Sequence, residues 1–249
     1  MPRGAGLASP LLHRFDARRL RLLRTSAPPP ARLLDAGAGR GRFVAAARRA
    51  GYDADGIEPD PARAAAAAQR GVALAVTDLE TASVEPGSLD VVSLWHVLEH
   101  LEDPNAGVRE VARWLRPGGV ILVGVPNLAS LQARLGGARW YHLDLPRHRT
   151  HFTPAGLEVL LRRHGLQVRS VDHVLLEHNS FGMWQSLVNR VTRTPSYLYN
   201  LLKRNAPARS PDLAVTALAV PLAPLAALLE LAAGLARRGG TIAVVARRR

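Results

Sequence analysis

Residues 32–41 read Arg32-Leu33-Leu34-Asp35-Ala36-Gly37-Ala38-Gly39-Arg40-Gly41. A short apolar strand ends in an acid and runs straight into three alternating glycines. Such a turn lets the backbone approach a ligand with no Cβ in the way. The Ala- and Arg-rich helix that follows, to about Ala50, offers free N–H groups that favour a negative group at its start. Two common ligands fit poorly. A dinucleotide turn needs G-x-G-x-x-G, and its third glycine position holds Arg42; a phosphate-cradling G-x-x-x-x-G-K-S/T loop is also absent. Asp35 suits a ligand with an ammonium group better than a pyrophosphate, which a carboxylate repels. Glu58 ends the next strand, residues 54–58, where an acid can accept hydrogen bonds from ribose hydroxyls. The bland alternative for both acids is that they cap neighbouring helices.

Outward from this unit, strands over 72–76, 89–94 and 120–125 alternate with helices over 61–69 and 106–115. Strands over 167–177 and 241–247 follow. This order predicts an α/β fold with a doubly wound, mostly parallel seven-stranded sheet and helices on both faces. An amphipathic helix over 10–24 precedes it, with leucines on one face and arginines on the other. The expected organisation is an N-terminal helix and linker (1–30), a ligand-binding core (31–178), a helical apolar insertion (179–238), and the last core strand with a basic tail (239–249).

The chain resembles the class I S-adenosylmethionine-dependent methyltransferases. Residues 33–41 look like their first motif, with Ala38 where many members have Cys. Gly56-Ile57-Glu58-Pro59-Asp60 looks like the second, and Thr77-Asp78-Leu79 like the third. Leu89-Asp90-Val91-Val92-Ser93 with Val97-Leu98-Glu99-His100 resembles the fourth. Leu115-Arg116-Pro117-Gly118-Gly119, then Val125-Pro126-Asn127, resembles the branch containing the ubiquinone-biosynthesis methyltransferases. The resemblance covers about residues 30–170. It implies S-adenosyl-L-methionine as cofactor, bound by Asp35, Gly37, Gly39 and Gly41, with Asp35 and Gly37 by its methionine end. It further implies Glu58 on the ribose, Asp78 and Leu79 at the adenine, and Trp95 and His96 flanking the sulfonium. It also implies an antiparallel last strand, which residues 241–247 are placed to supply.

Methyl transfer from a sulfonium needs alignment and a dry site, because the cofactor carries its own activation. A hydroxyl acceptor additionally needs a base, and histidine is matched to neutral pH. Trp140–Phe152 (WYHLDLPRHRTHF) follows the fifth strand, at the sheet edge where open α/β sheets bind ligands. Here His148 and His151 are the candidate bases, and a loop-pinning role for them is the alternative. His96 and His100, four apart, would share one face of a helix, a spacing able to hold a metal. H-E-x-x-H is absent and no third ligand is evident, so no metal is expected. Ser93-Leu94-Trp95-His96 replaces the Asn/Asp-Pro-Pro-aromatic run of nucleic-acid amino-methyltransferases, which counts against a base's exocyclic nitrogen as acceptor. Tyr199 and Lys203 share the Y-x-x-x-K spacing of short-chain dehydrogenases, but without that family's glycine turn the match reads as chance.

The 249 residues are 47% apolar, so a sizeable core is within reach. The net charge is +13, carried almost wholly by arginine, with Lys203 the only lysine. This favours anionic surfaces in general over a dedicated nucleic-acid face. With no cysteine, disulfides, thiolate catalysis and Cys-based zinc sites are excluded. No secretory apolar segment opens the chain, so a cytoplasmic location is expected. Residues 213–235 are almost pure Ala, Leu, Val and Pro, with Glu230 the only charge. Arg209 precedes them, Ser210-Pro211-Asp212 is a good helix start, and Arg237 and Arg238 follow. Pro221 and Pro224 predict a kinked helix or two short ones. A crossing helix, a cap packed on protein, and an element resting on an anionic membrane surface through residues 209–238 all remain open. The expected function is methyl transfer to an oxygen or carbon of a small, lipophilic acceptor. The rivals are an RNA-directed methyltransferase and a non-catalytic protein that keeps the fold to bind a membrane or partner.

Overall fold

A computed structural model describes residues 9–203, 205–207 and 211–249. Arg209 and Ser210, the expected flank and cap of the apolar run, lie outside the described residues. The chain divides into two compact units. The first comprises residues 1–125, 155–171 and 243–249, and the second comprises 126–154 and 172–242.

In the first unit, α1 (Ser9–Arg24) leads to β1 (Arg32–Ala36), α2 (Arg42–Arg49), β2 (Asp53–Ile57) and α3 (Pro61–Ala68). Then come β3 (Leu89–Trp95), α4 (Pro104–Trp114) and β4 (Leu115–Pro126). Asp60 and Asp103 cap α3 and α4 by accepting from the N–H groups of Ala62 and Arg63, and of Asn105 and Ala106, with Pro in the first turn of each. Along the chain α5 (Leu131–Gly136), α6 (Pro154–Arg163), β5 (Leu166–Asp172), α7 (Leu176–Val188), α8 (Tyr197–Leu202), α9 (Pro211–Ala219), α10 (Ala223–Leu235) and β6 (Thr241–Arg248) complete the order. The sheet runs β2-β1-β3-β4-β6-β5. The pairs β1–β2, β1–β3 and β3–β4 are parallel. Strands β3 and β4 are buried along most of their length, as strands covered on both faces are, and their apolar runs reflect it.

Among the described residues the sheet is mixed and has six strands, not the seven expected. The missing strand is residues 72–76, which makes one isolated parallel bridge, Ala75 to Ile57. Its neighbours are committed elsewhere. The Val72 N–H closes the end of α3 on the Ala67 carbonyl, and the Thr77 N–H turns back on Ala75. Ala75 bonds to β2 through both its N–H and its carbonyl, and no ladder extends from it among the described residues. The strand expected over 167–177 ends at Asp172, whose side chain accepts from the Val174 N–H, and a helix starts at Leu176. His96 and His100 do not share a helix either. His96 adopts φ 56°, and only a 3-10 turn, Leu98–His100, follows.

The second unit is mainly helical. Met183, Trp184 and Val188 of α7 pack with Ala226 of α10. Beside them lies a buried polar lock. Gln132 Nε2 donates to the Asn179 carbonyl and to Glu230 Oε2, both at 2.8 Å, and the Gly240 N–H donates to Glu230 Oε1 at 2.8 Å. This explains the single charge in the apolar run. Burial pushes the Glu230 carboxyl up from its ordinary value, against the bonds from Gly240 and Gln132. Gly239 and Gly240 are required by close approach, since a Cβ on either would fall about 2 Å from the His173 carbonyl or the Gln132 amide.

Gly41 combines φ 69° with a would-be Cβ 2.8 Å from Val72 Cγ1. Gly41→Ala is therefore expected to destabilise the protein by about 1–3 kcal/mol through strain and crowding together. Denaturant unfolding measures this, and a neutral or stabilising result would show that the turn is not held as described.

Candidate functional site

The carboxyl ends of β1, β2 and β3 bring most of the expected cofactor residues together. After Asp35 the chain makes its turn with Gly37, Gly39 and Gly41 at φ 76°, 60° and 69°, a left-handed run that side chains with a Cβ rarely adopt. The N–H groups of Gly37 and Ala38 both donate to the Ile57 carbonyl at 2.9 Å, which ties the turn to the end of β2. A Cβ on Gly37 would lie 2.4 Å from Val97 Cγ2, whereas one on Gly39 would meet nothing within 4 Å. The turn is thus crowded behind and open at its middle. Glu58, 2% exposed, accepts from the Gly39 N–H at 2.7 Å and from the Asp60 N–H at 3.1 Å. Each oxygen of a carboxylate accepts two bonds, so both retain capacity for a hydroxyl donor.

The residue that sequence reasoning missed is Arg19. It lies on the buried face of α1, in the stripe Asp16, Arg19, Leu20 and Leu23, so the expectation that all arginines lie opposite the leucines is corrected. Asp16 accepts from Arg42 Nε at 2.8 Å, which docks α1 onto the start of α2. Arg19 then reaches inward. Its Nη2 donates to Asp35 Oδ1 and to Ser93 Oγ, both at 2.5 Å. The guanidinium carbon sits 3.5 Å from the Phe43 ring centroid and 5.1 Å from that of Trp95. Burial pushes the Asp35 carboxyl up and the Arg19 guanidinium down, and each is held back by the other's charge and hydrogen bond. The only sequence signal was an acid and an arginine three apart on one helix, and several neighbouring arginines hid it.

Trp95, the last residue of β3, lies against Gly124 of β4, where a Cβ would come within 2.7 Å of the indole. His96 Nδ1 lies 2.8 Å from Glu99 Oε1. Burial pushes Glu99 up, but the hydrogen bond and charge of His96 outweigh it and hold the carboxyl below its ordinary value. Asp78 is exposed, and its Oδ1 accepts from the Glu80 N–H, the Thr81 N–H and the Thr81 hydroxyl. That oxygen is spent on its own turn, and the Thr81 bonds lower the carboxyl's pKa. Leu79 is buried, near Gly107 of α4.

His148 and His151 belong to the second unit. His148 is buried, and its Nδ1 lies 2.7 Å from the His142 carbonyl. His151 Nε2 lies 3.0 Å from the Leu143 carbonyl. A carbonyl only accepts, so each of these nitrogens carries the proton and the opposite nitrogen is the basic one. Both rings pin the 140–152 loop to itself. The His148 and His151 rings lie 6.2 Å apart, and the His151 ring is 5.9 Å from that of Trp140.

A cradle of three positive-φ glycines beside a buried carboxylate and guanidinium fits the amino-acid half of S-adenosylmethionine. That half carries an ammonium and a carboxylate side by side. The comparisons define the class. The methyltransferase-domain family matches residues 10–171, and the chain belongs to it. It is a class I enzyme that uses S-adenosylmethionine. Among particular relatives, it is 33% identical over 160 residues to a ubiquinone biosynthesis O-methyltransferase of Xanthomonas oryzae pv. oryzae, covering 59% of this chain and 67% of that one. The protein of the same name from Xanthomonas axonopodis pv. citri is 31% identical over 180 residues, covering 67% and 75%. In fold, the chain is similar to an S-adenosylmethionine-dependent methyltransferase from Archaeoglobus fulgidus, with TM-score 0.61, 18% identity, and coverage of 95% of this chain and 94% of that one. A cyclase also matches at TM-score 0.61 and 20% identity, over 97% and 92%. Likeness at this level defines the fold alone.

Removing one member of a buried ion pair strands the other. Arg19→Met and Asp35→Asn are each expected to cost about 3–5 kcal/mol, and the double variant clearly less than their sum. A double-mutant cycle by urea unfolding reads the coupling, and strict additivity would mean the two groups do not interact.

Proposed function

We propose that the protein transfers the methyl group of S-adenosylmethionine to a hydroxyl oxygen of a small, lipophilic acceptor, and that the Arg19–Asp35 pair holds the cofactor's amino-acid end. The carrying observation is that pair, buried beside the glycine cradle. A carboxylate and a guanidinium held together complement an ammonium and a carboxylate held together, and the alternation of charge leaves none of the four uncompensated. When bound, the cofactor supplies an electrophilic methyl group on a sulfonium. Gly37, Gly39 and Gly41 admit it closely, Glu58 accepts from its ribose hydroxyls, and Asp78 and Leu79 lie toward its adenine. Trp95 and His96 flank the sulfonium and help exclude water.

Oxygen as the acceptor atom is favoured by the curated relatives, which are named O-methyltransferases. A hydroxyl must lose its proton as the methyl arrives, so a base is needed. His148 is our choice: the His142 carbonyl fixes its tautomer, with Nδ1 protonated and Nε2 basic, and Asp144 Oδ2 lies 4.0 Å from Nε2. His151, held the opposite way round by Leu143, is the second candidate.

The test separates base from loop pin. Asparagine at 148 can place an N–H where Nδ1–H stands, and glutamine at 151 can do so for Nε2–H, but neither accepts a proton. With radiolabelled S-adenosylmethionine and a panel of lipophilic phenols and catechols, the native protein is expected to label an oxygen. His148→Asn is expected to lower kcat by about a hundredfold or more and remove the acidic limb of the pH profile, with cofactor affinity unchanged. Full activity in His148→Asn would reduce this histidine to a loop pin. Labelling of no acceptor, or labelling at nitrogen, would overturn the proposed reaction.

A further inference from the structure

Helices α9 and α10 are built inside out. A helix packed on a protein turns its apolar stripe inward and its polar face to water. Here the inward positions of α9 are Asp212 and Thr216, and those of α10 are Ala226, Glu230, Ala233 and Gly234. Four leucines point the other way, Leu218 at 80% exposed, Leu225 64%, Leu228 63% and Leu235 71%, while Leu229 packs inward beside Ala226. Over the most apolar 18 residues of Pro211–Leu235, only 17% are buried. A cap that buried all its apolar surface against its own chain would show the reverse, so packing on the chain accounts for only the inner face of the two helices.

The inward face is nevertheless firmly seated. Ala226 packs with Met183, Trp184 and Val188, and Trp184 Nε1 donates to the Ala219 carbonyl at 2.8 Å. Asp212 accepts from the N–H groups of Arg193 and Thr194, and Glu230 is held by Gln132 and Gly240. One face is therefore committed to protein, which a helix surrounded by lipid would not be. The same packing removes both acids of the two helices from the surface. The outer face is left apolar without negative charge, and it ends at the exposed arginines Arg237 and Arg238.

We propose that α9 and α10 form a docking surface for an anionic lipid bilayer. The exposed leucines enter the boundary between headgroups and acyl chains, and Arg237 and Arg238 meet lipid phosphates. Charge favours anionic lipid over a second copy of the chain as occupant: two exposed arginines border the apolar face, and the acids of both helices are buried, so the face itself offers no negative charge to answer them. Apolar patches of this extent on a soluble unit mark interaction sites, and apolar area joined to basic residues is how peripheral proteins hold anionic lipid.

The test uses the full chain and flotation with vesicles of phosphatidylcholine, alone or with phosphatidylglycerol. The native protein is expected to float with the anionic vesicles, to float less at high salt, and to be released by alkaline carbonate. Arg237→Asn with Arg238→Gln is expected to weaken partitioning by about fivefold per residue. Replacing Leu218, Leu225 and Leu228 with Ser is expected to abolish it, with circular dichroism and S-adenosylmethionine binding unchanged. Native protein that stays out of the floating fraction overturns the proposal. So does a patch that proves to be a dimer contact, seen as a native dimer by light scattering that the Leu variant splits. Resistance to carbonate would overturn it in favour of a crossing helix.

Discussion

Arg19 and Asp35 meet in a buried ion pair inside the first unit. It joins α1 to the end of β1, at the point where the chain must also turn through three left-handed glycines. Two charges taken out of water need excellent geometry, and here Ser93 adds a hydroxyl while Phe43 and Trp95 supply aromatic faces. Trp95 can lie where it does because Gly124 has no Cβ. A buried ion pair adds little net stability over an apolar replacement. Its presence at the mouth of the glycine cradle makes more sense as a zwitterion's receptor than as a brace.

The second unit solves a different problem with similar means. Buried polar groups there are paired with backbone: Asn127 with Gly239, Asn179 with Thr241, Glu230 with Gly240. This lock, with Leu229 packed beside it, holds α10 from its inner side, so Leu225, Leu228 and Leu235 are not needed for the core. They are free to face outward. The polar lock and the apolar surface are two sides of one arrangement.

Local signals were legible in the sequence because they report local physics. The glycine turn, the acids Asp35 and Glu58, and the break near Pro221 in the apolar run all follow from backbone freedom, charge and the missing N–H of proline. Less visible were features that depend on competition or distance. Residues 72–76 look like a strand, yet the end of α3 claims the Val72 N–H, and only Ala75 pairs. Asp78 reads as an adenine ligand, yet one of its oxygens is spent on Thr81 and Glu80. Arg19 is one arginine among many on α1, and its partners lie 16 and 74 residues away. No periodicity separates it from the solvent-facing ones.

The most direct measurement compares calorimetric binding of S-adenosylhomocysteine with that of its decarboxylated analogue, in the native protein and in Arg19→Met shown to be folded. A guanidinium that grips the cofactor's carboxylate makes the native protein prefer the intact amino acid by about tenfold or more, the scale of a charged hydrogen bond, and its loss erases the preference. Equal affinity for the two ligands in the native protein, or a preference that survives Arg19→Met, would contradict the assignment of the buried pair to the cofactor.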